Sequence, residues 1–456
     1  MPVTLNPQGP RGHLVRGNLP EYIKNPLNYL TSMAREYGDV VRLRFFHIPV
    51  YVFNGPEQIE EILVTKNRSF IKPIDFRLPF FRTIFGNGLL TSEGDFWLRQ
   101  RRLAQPAFHR NRIADYGKIM VGYSEQMLAT WQESETRDVH EEMMVLTVKI
   151  AVKALFNVDA ERDVVLMSAL SNEVIKMFEL QDSSLWLVHN FFPTSAHKRF
   201  GKLVKRLDEY IYSIIGQRRQ NGEDTGDLLS MLLHAQDEDG SRMNDRQLRD
   251  EVMTLFLAGH ETTALALSWT WYLLSQHPEV EAKLMSELES ALGGRAPRVE
   301  DLPALRYAEA VVKESLRLYP PAWAFGRQAI EDCEIGGFHL PKGRQLYFFP
   351  WVVHRDRRYF ENPESFCPER WADDRVKQMP RFAYFPFSGG ARVCIGSSFA
   401  MMEAILVLAT VAQRFKLRLV EGQEITPWPV FTLRPKHGIR MTMEKREARS
   451  ASLAVG

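Results

Sequence analysis

Cysteine is scarce in this chain. The three present in 456 residues, Cys333, Cys367 and Cys394, cannot build a disulfide framework, which fits a reducing compartment. An excess of one charge is also missing. The 58 basic and 56 acidic residues leave a formal net charge of +2, so electrostatics does not make the chain a nucleic-acid binder. No run reaches the roughly 18 uninterrupted apolar residues of a membrane span. The first residues, MPVTLNPQGPRGHLVRGNLPEY, put proline, glycine and charge where a secretory signal needs an apolar stretch. These absences predict a soluble, cytoplasmic protein. No repeat or low-complexity linker divides the chain, and its 45% hydrophobic content suits a sizeable core.

The pattern along the chain is helix-rich, with β-structure mostly at the two ends. A short helix near Pro26–Tyr37 precedes a predicted hairpin over 40–53, with its turn near His47–Pro49, and a short helix over 57–64. Residues 70–91 read as a long apolar loop punctuated by proline and glycine. From 94 to 292 the periodicity is helical, with breaks at Asn111-Arg112, Arg137-Asp138, 182–194 and 221–225. The longest helix runs from Asn244 to Gln276 and ends at His277-Pro278. A helix over 302–318, short strands over 325–349, a loop-rich stretch over 350–393, a helix over 397–414 and strands over 415–443 complete the reading. Strands and helices do not alternate, which argues against a doubly wound α/β fold. The expectation is one mainly α domain with small β-sheets (α+β) over 1–443. Its β-rich parts are 39–55, 325–349 and 415–443, its helical parts 94–320 and 397–414, and 444–456 form a flexible tail.

One cysteine stands apart. Phe387-Ser388-Gly389-Gly390-Ala391-Arg392-Val393-Cys394-Ile395-Gly396 places it in a glycine-bordered turn ahead of an apolar helical run. A thiol there can lose its proton and ligate a metal. Glycine lets backbone approach a flat cofactor, and Arg392 can carry charge to an anionic group on it. The N–H groups of the helix starting near Ser397 favour the thiolate, and Phe387 would shield the sulfur. A haem held by a cysteine thiolate requires such a set.

A second constellation interrupts the longest helix: Ala258-Gly259-His260-Glu261-Thr262-Thr263. Glycine inside a helix costs roughly 1 kcal/mol against alanine, which a flat ligand lying against the helix would offset. Thr262 can bend the backbone by bonding the Ala258 carbonyl, and Glu261 beside it can relay protons. On these residues alone, simple close packing of helices stays open.

Further features follow in order. Trp97 and Arg101 share a helix face at i,i+4. Glu314 and Arg317 stand at i,i+3, and Pro368-Glu369-Arg370-Trp371 comes later. Arg327 follows an apolar turn at 320–325, and Thr432-Leu433-Arg434-Pro435-Lys436-His437-Gly438 lies near the end. Together with the cysteine loop and Ala-Gly-x-Glu-Thr-Thr, these motifs resemble those of the cytochrome P-450 family, over roughly residues 25–443. The motifs Pro-Glu-Arg-Trp and Leu-Arg-Pro-Lys look more like its fatty-acid and microsomal branch than its small-terpene hydroxylases, so the resemblance is to a soluble bacterial member of that branch.

The resemblance implies the cytochrome P-450 fold, one large domain with a long central helix over the haem. It implies haem b (Fe-protoporphyrin IX) ligated by Cys394, with Trp97, Arg101, Arg327 and Arg392 toward the propionates and Ala258, Phe387 and Gly396 against the ring. Glu261 and Thr262 would deliver protons, and Glu314, Arg317 and Arg370 would lock the core beneath the cysteine loop. The implied activity is a monooxygenase that puts one atom of O2 into an apolar fatty acid, terpenoid or steroid, by hydroxylation or epoxidation. Candidate substrate contacts are Phe80, Phe81, Ile84, Leu89, Thr254, Leu255, Ala258, Ala322, Trp323, Phe325, Val430 and Phe431, as an apolar set. Arg99, Arg101, Arg102, Arg110 and Arg112 have no acid among them, and a basic face including Arg99, Arg102, Arg110 and Arg112 would dock a ferredoxin or flavodoxin on a monomeric enzyme. A peroxide-using or isomerising relative, and a non-catalytic haem sensor, are the alternatives left open.

Overall fold

The computed structural model describes residues 7–447, apart from 109, 158–164, 167, 170–172, 175, 177–194, 223, 373–375 and 377. The predicted break at 182–194 therefore lies outside the described residues. The larger helices are α1 (Pro26–Tyr37), α2 (Pro79–Phe85), α3 (Gly94–Ala104), α4 (Arg110–Leu128), α5 (Val139–Phe156), α6 (Ser195–Asn221), α7 (Leu228–His234), α8 (Asp245–Gln276), α9 (Pro278–Leu292), α10 (Arg306–Leu318) and α11 (Ser397–Ala412).

Helix α8 organises the molecule. Asn244 and Gln247 close a reciprocal capping box at its start (2.8 and 2.9 Å), and His277-Pro278 ends it. Its 32 residues span about 48 Å at 1.5 Å per residue. Most of its side chains are buried on every face, because α2, α5, α6, α10 and α11 pack around it. Hydroxyls of Thr254, Thr262, Thr263, Ser268 and Thr270 each bond the carbonyl four residues back, a pattern that bends helices.

The main sheet has the order β1-β2-β8-β5-β3. The antiparallel hairpin β1 (Val40–Phe45) and β2 (Ile48–Phe53) joins β8 (Gln345–Phe348) in parallel. Strand β5 (Phe325–Ala329) pairs antiparallel with β8 and with β3 (Phe70–Ile71). The remaining strands form three small units: β4 (Thr136–Asp138), β12 (Arg440–Lys445) and β9 (Phe415–Leu419); β6 (Cys333–Ile335) and β7 (Phe338–Leu340); and β10 (Pro427–Pro429) and β11 (Leu433–Pro435).

Three local readings are corrected. Residues 70–91 are not a structureless loop: they hold β3, a 3-10 turn and α2, whose Phe80, Phe81, Ile84 and Phe85 are all buried. No break occurs at Asn111-Arg112. It falls earlier, in the 3-10 turn Gln105–Phe108, where Pro106 cannot donate a helical bond. The tail does not begin at Glu444, since β12 pairs through Lys445 with Phe415.

Glu314, Arg317 and Arg370 meet in the interior. Arg317 donates twice to Glu314 (2.9 and 2.8 Å), and Arg370 Nε (2.9 Å) and Trp371 Nε1 (3.0 Å) donate to the same carboxylate. Arg317 also reaches the carbonyls of His354 and Pro363 (2.8 and 2.6 Å). His354 Nε2 in turn accepts from the Phe385 N–H (2.9 Å). This buried network holds the segment leading to the cysteine loop.

Candidate active site

The cysteine loop is shaped by its own turns. Cys394 N–H donates to the Phe387 carbonyl (3.0 Å), Ser388 N–H to Phe385 (3.0 Å) and Val393 N–H to Gly390 (3.2 Å). Gly390 has φ 65°, and a Cβ there would collide with the Leu63 carbonyl. A Cβ on Gly389 would strike the Phe382 ring. These two glycines serve packing against the protein, not close approach of a cofactor.

The loop opens onto a cavity of about 380 Å³, within the range of about 300–1,000 Å³ usual for ligand pockets. Cys394, Phe387 and Gly396 line it, as do Leu255, Ala258 and Thr262 of α8. Ala258 and Gly259 are exposed to this space, and nothing lies within 4 Å of where a Gly259 Cβ would stand. The bare stretch of α8 thus faces room for a flat group. The Thr262 hydroxyl donates to the Ala258 carbonyl (2.8 Å).

Cations gather on another part of the wall. Trp97, Arg101, Arg327 and Arg392 all line the cavity. Helix α3, which carries the first two, is tied to α8 where Gln100 donates to Glu251 (3.1 Å). Burial pushes Glu251 up to about 7. Arg101 donates to the Val393 carbonyl (2.9 Å). Arg392 lies over the Trp97 ring (3.9 Å to its centroid) and bonds the Ser92 carbonyl (2.9 Å) and the Glu93 carboxylate. Lys72, which sequence reasoning missed, joins them. Its backbone N–H donates to Glu93 (2.6 Å) and its ammonium lies over Phe76 (5.1 Å). A lone lysine beside a proline carries no signal of this role.

These cations are short of counter-charge. Burial, with mutual repulsion added, lowers Arg327 to about 10 and holds Lys72 well below the usual lysine value. Burial also lowers Arg392 to about 10, against the pull of Glu93. Lys72, Arg101, Arg327 and Arg392 line this wall with one carboxylate, Glu93, among them, so positive charge is left over that the two carboxylates of a haem could take up. Cys394 is open to the cavity, yet the surrounding protein keeps water from it and pushes the thiol up, although the Gly396 N–H and Arg101 pull the other way. The helix start favours the thiolate, as the sequence leads one to expect, but the desolvation outweighs it. A bound ferric ion would displace the proton. The sulfur, the flat helix face and the cation surplus together fit a haem.

The other side chains divide. Leu89, Thr254, Ala322, Phe325, Phe431 and Glu261 line the cavity. Phe80, Phe81, Ile84, Trp323 and Val430 do not. Phe80 packs on Phe200 (5.1 Å between centroids) and Phe81 backs Phe431 (5.7 Å), while Ile84 is sealed in the core. Trp323 stacks on Phe349 and donates its indole N–H to the Val430 carbonyl (2.7 Å). Glu261 is engaged by Arg434 Nη2 (2.9 Å) and by the Thr432 hydroxyl. The basic face is not unopposed either. Arg99 donates to Asp237 (3.0 Å) and Ser241 (2.7 Å), and Arg102 lies beside Asp237 and Glu238. These partners lie more than 130 positions along the chain, so inspecting the arginine run alone could not find them. The side chains of Arg110 and Arg112 lie outside the described residues.

The sequence model of the family described as Cytochrome P450 matches residues 7–443. The chain belongs to the cytochrome P450 family. It is 39% identical to cyclooctatin synthase of Streptomyces melanosporofaciens, over 93% of this chain and 92% of the relative. Pentalenene oxygenase of Streptomyces avermitilis is 32% identical, with 95% and 96% covered, and human cytochrome P450 4V2 is 32% identical, with 92% and 85% covered. The structure of a retinoic acid-bound cyanobacterial protein, CYP120A1, superposes with a TM-score of 0.86 at 24% identity, covering 96% and 99% of the two chains. This cytochrome P450 is therefore an oxidoreductase of the monooxygenase type that binds haem. Among the described residues no helix is long and apolar enough to cross a membrane.

Proposed function

We propose that this cytochrome P450 oxygenates a terpenoid, using electrons from a separate ferredoxin- or flavodoxin-type protein. The cavity carries the reading. Its wall near α8 and the 320–326 turn is largely apolar, with Leu89, Leu255, Ala258, Ala322, Phe325 and Phe431 among its residues, and offers a compact hydrocarbon few hydrogen-bonding groups. Relatives named for cyclooctatin and pentalenene oxidation support a terpenoid over the fatty acids and steroids that the same walls would admit.

The haem, held by Cys394, would supply dioxygen activation. The residues do the rest. Lys72, Arg327 and Arg392 orient the cofactor through its carboxylates. Apolar side chains exclude water and hold the substrate against α8. Thr262 presents a hydroxyl at the cavity wall, where it can pass protons from water to the oxygen being reduced. Glu261 is held ionised by Arg434, so it accepts and orients donors there. Of the expected docking arginines, Arg102 keeps an exposed side chain, and it would meet an acidic donor.

Titration of the purified protein with cyclic terpenes, fatty acids and steroids, followed by the spin-state shift of the haem band, tests the substrate class. Terpenoids are expected to give the largest shift at the lowest concentration. A shift with fatty acids or steroids alone would reject the reading. Arg102→Glu should slow reduction by the protein donor and weaken its salt dependence. Unchanged rates would remove the docking role.

A further inference from the structure

One buried acid on the cavity wall has no place in the chemistry above. Glu403 lies on α11, on the face that also carries Phe399, Ala400 and Ala404 to the cavity. It is 2% exposed, and its Oε1 has no hydrogen-bond partner among the described residues. Among the described residues no ion pair involves it either. Buried carboxylates are ordinarily paired, because an isolated charge in the interior is costly. An acid left alone in this way stands neutral.

We propose that Glu403 tunes the haem from the cavity wall: it stands there as an uncharged acid, and a negative charge in its place would favour the oxidised iron. The inference rests on the haem being held by Cys394. Glu403 is six positions (403 − 397) beyond the first residue of α11, about 9 Å along the helix, and Cys394 lies just before that start. Over such a distance in a protein interior a charge is little screened by salt. Reduction adds one electron to the iron, so a carboxylate nearby opposes it and a neutral acid does not. In the pH range where the acid is ionised beside the oxidised iron but protonated beside the reduced iron, reduction would be accompanied by uptake of a proton at Glu403.

Among the described residues the neighbouring charges are engaged elsewhere, including Glu251 of α8, which is itself pushed up to about 7 and accepts from Gln100 and the Leu89 N–H (3.1 and 3.0 Å). On the elements packed against α11, Glu261 of α8 is paired with Arg434, and His260 bonds the Phe256 carbonyl. On α10, Glu314 and Arg317 hold each other, and Glu309 pairs with Lys313. Asp301 in the turn before α10 binds Arg295, and Lys416 of β9 binds Glu281. Asp115 and Lys118 of α4 are exposed. Burial is the one influence on the Glu403 carboxyl, and it pushes the group up to about 8.

Spectroelectrochemical titration of the haem-loaded protein at a series of pH values tests the proposal. The midpoint potential of the native protein is expected to hold steady below neutrality and to fall in a one-proton step as pH rises through about 8. In Glu403→Gln, which keeps the shape and the neutrality, the potential should stay at the native low-pH value throughout. A native potential that is flat across this range overturns the proposal without any variant. A step that persists in Glu403→Gln, or in Glu403→Met should the first variant fold poorly, belongs to another group and overturns it too. Preparations without a haem band would instead reject the haem reading itself, so the two failures are distinguishable.

Discussion

Arg434 holds Glu261 at 2.9 Å, and this pair joins the segment carrying β11 to the middle of α8. Burial opposes the ionised acid, but Arg434, the Thr432 hydroxyl and His260 together outweigh it, so the Glu261 carboxyl lies below its ordinary value. A depressed carboxyl contributes stability above its unfolded pKa of about 4.3, and that contribution is lost as pH falls through the folded value. Glu261→Gln leaves Arg434 buried without its counter-charge and should cost about 3–5 kcal/mol at neutral pH. Urea denaturation at several pH values checks this: the gap between variant and native protein should narrow below the ordinary carboxylate range. A gap independent of pH would contradict the ion-pair account.

Thr262→Ala removes the hydroxyl now donated to the Ala258 carbonyl and with it the proton-passing group at the cavity wall. Electron consumption should continue while product per electron falls and hydrogen peroxide rises. Measuring product, peroxide and reductant together decides it, and unchanged coupling would remove the role given to Thr262.

Lys72 is the cation that the cavity, not the sequence, points out. A charge-assisted hydrogen bond contributes about 1.5–3 kcal/mol, so Lys72→Met should speed haem loss roughly tenfold to a hundredfold. Transfer of haem to an apo-globin acceptor gives that rate directly. A variant that keeps its haem as long as the native protein would show that Lys72 is a bystander.

The parts of this molecule legible in its sequence are those governed by local chemistry. The capping box and His277-Pro278 bound α8 within the sequence itself, alternation marks the β1–β2 hairpin, and the cysteine loop announces its ligand through residue type and spacing. What was hidden depends on distant partners. Phe80, Phe81 and Ile84 have pocket-like chemistry, yet α2 turns them toward α6 and α8. Arg99 looks free until Asp237 arrives from 138 positions away. Glu261 looks available until Arg434 arrives from the C-terminal strands. Glu403 is one acid in an apolar helix, and only its lack of a partner after folding singles it out.

The central claim is that one sulfur, at Cys394, holds the haem iron on the cavity wall. The carbon monoxide difference spectrum of the reduced protein tests it most directly, recorded for the native chain and for Cys394→Ser. The native protein should show the red-shifted haem band of thiolate ligation, and the variant should lose that band together with most of its bound pigment. An unaltered band and pigment content in Cys394→Ser would contradict the account.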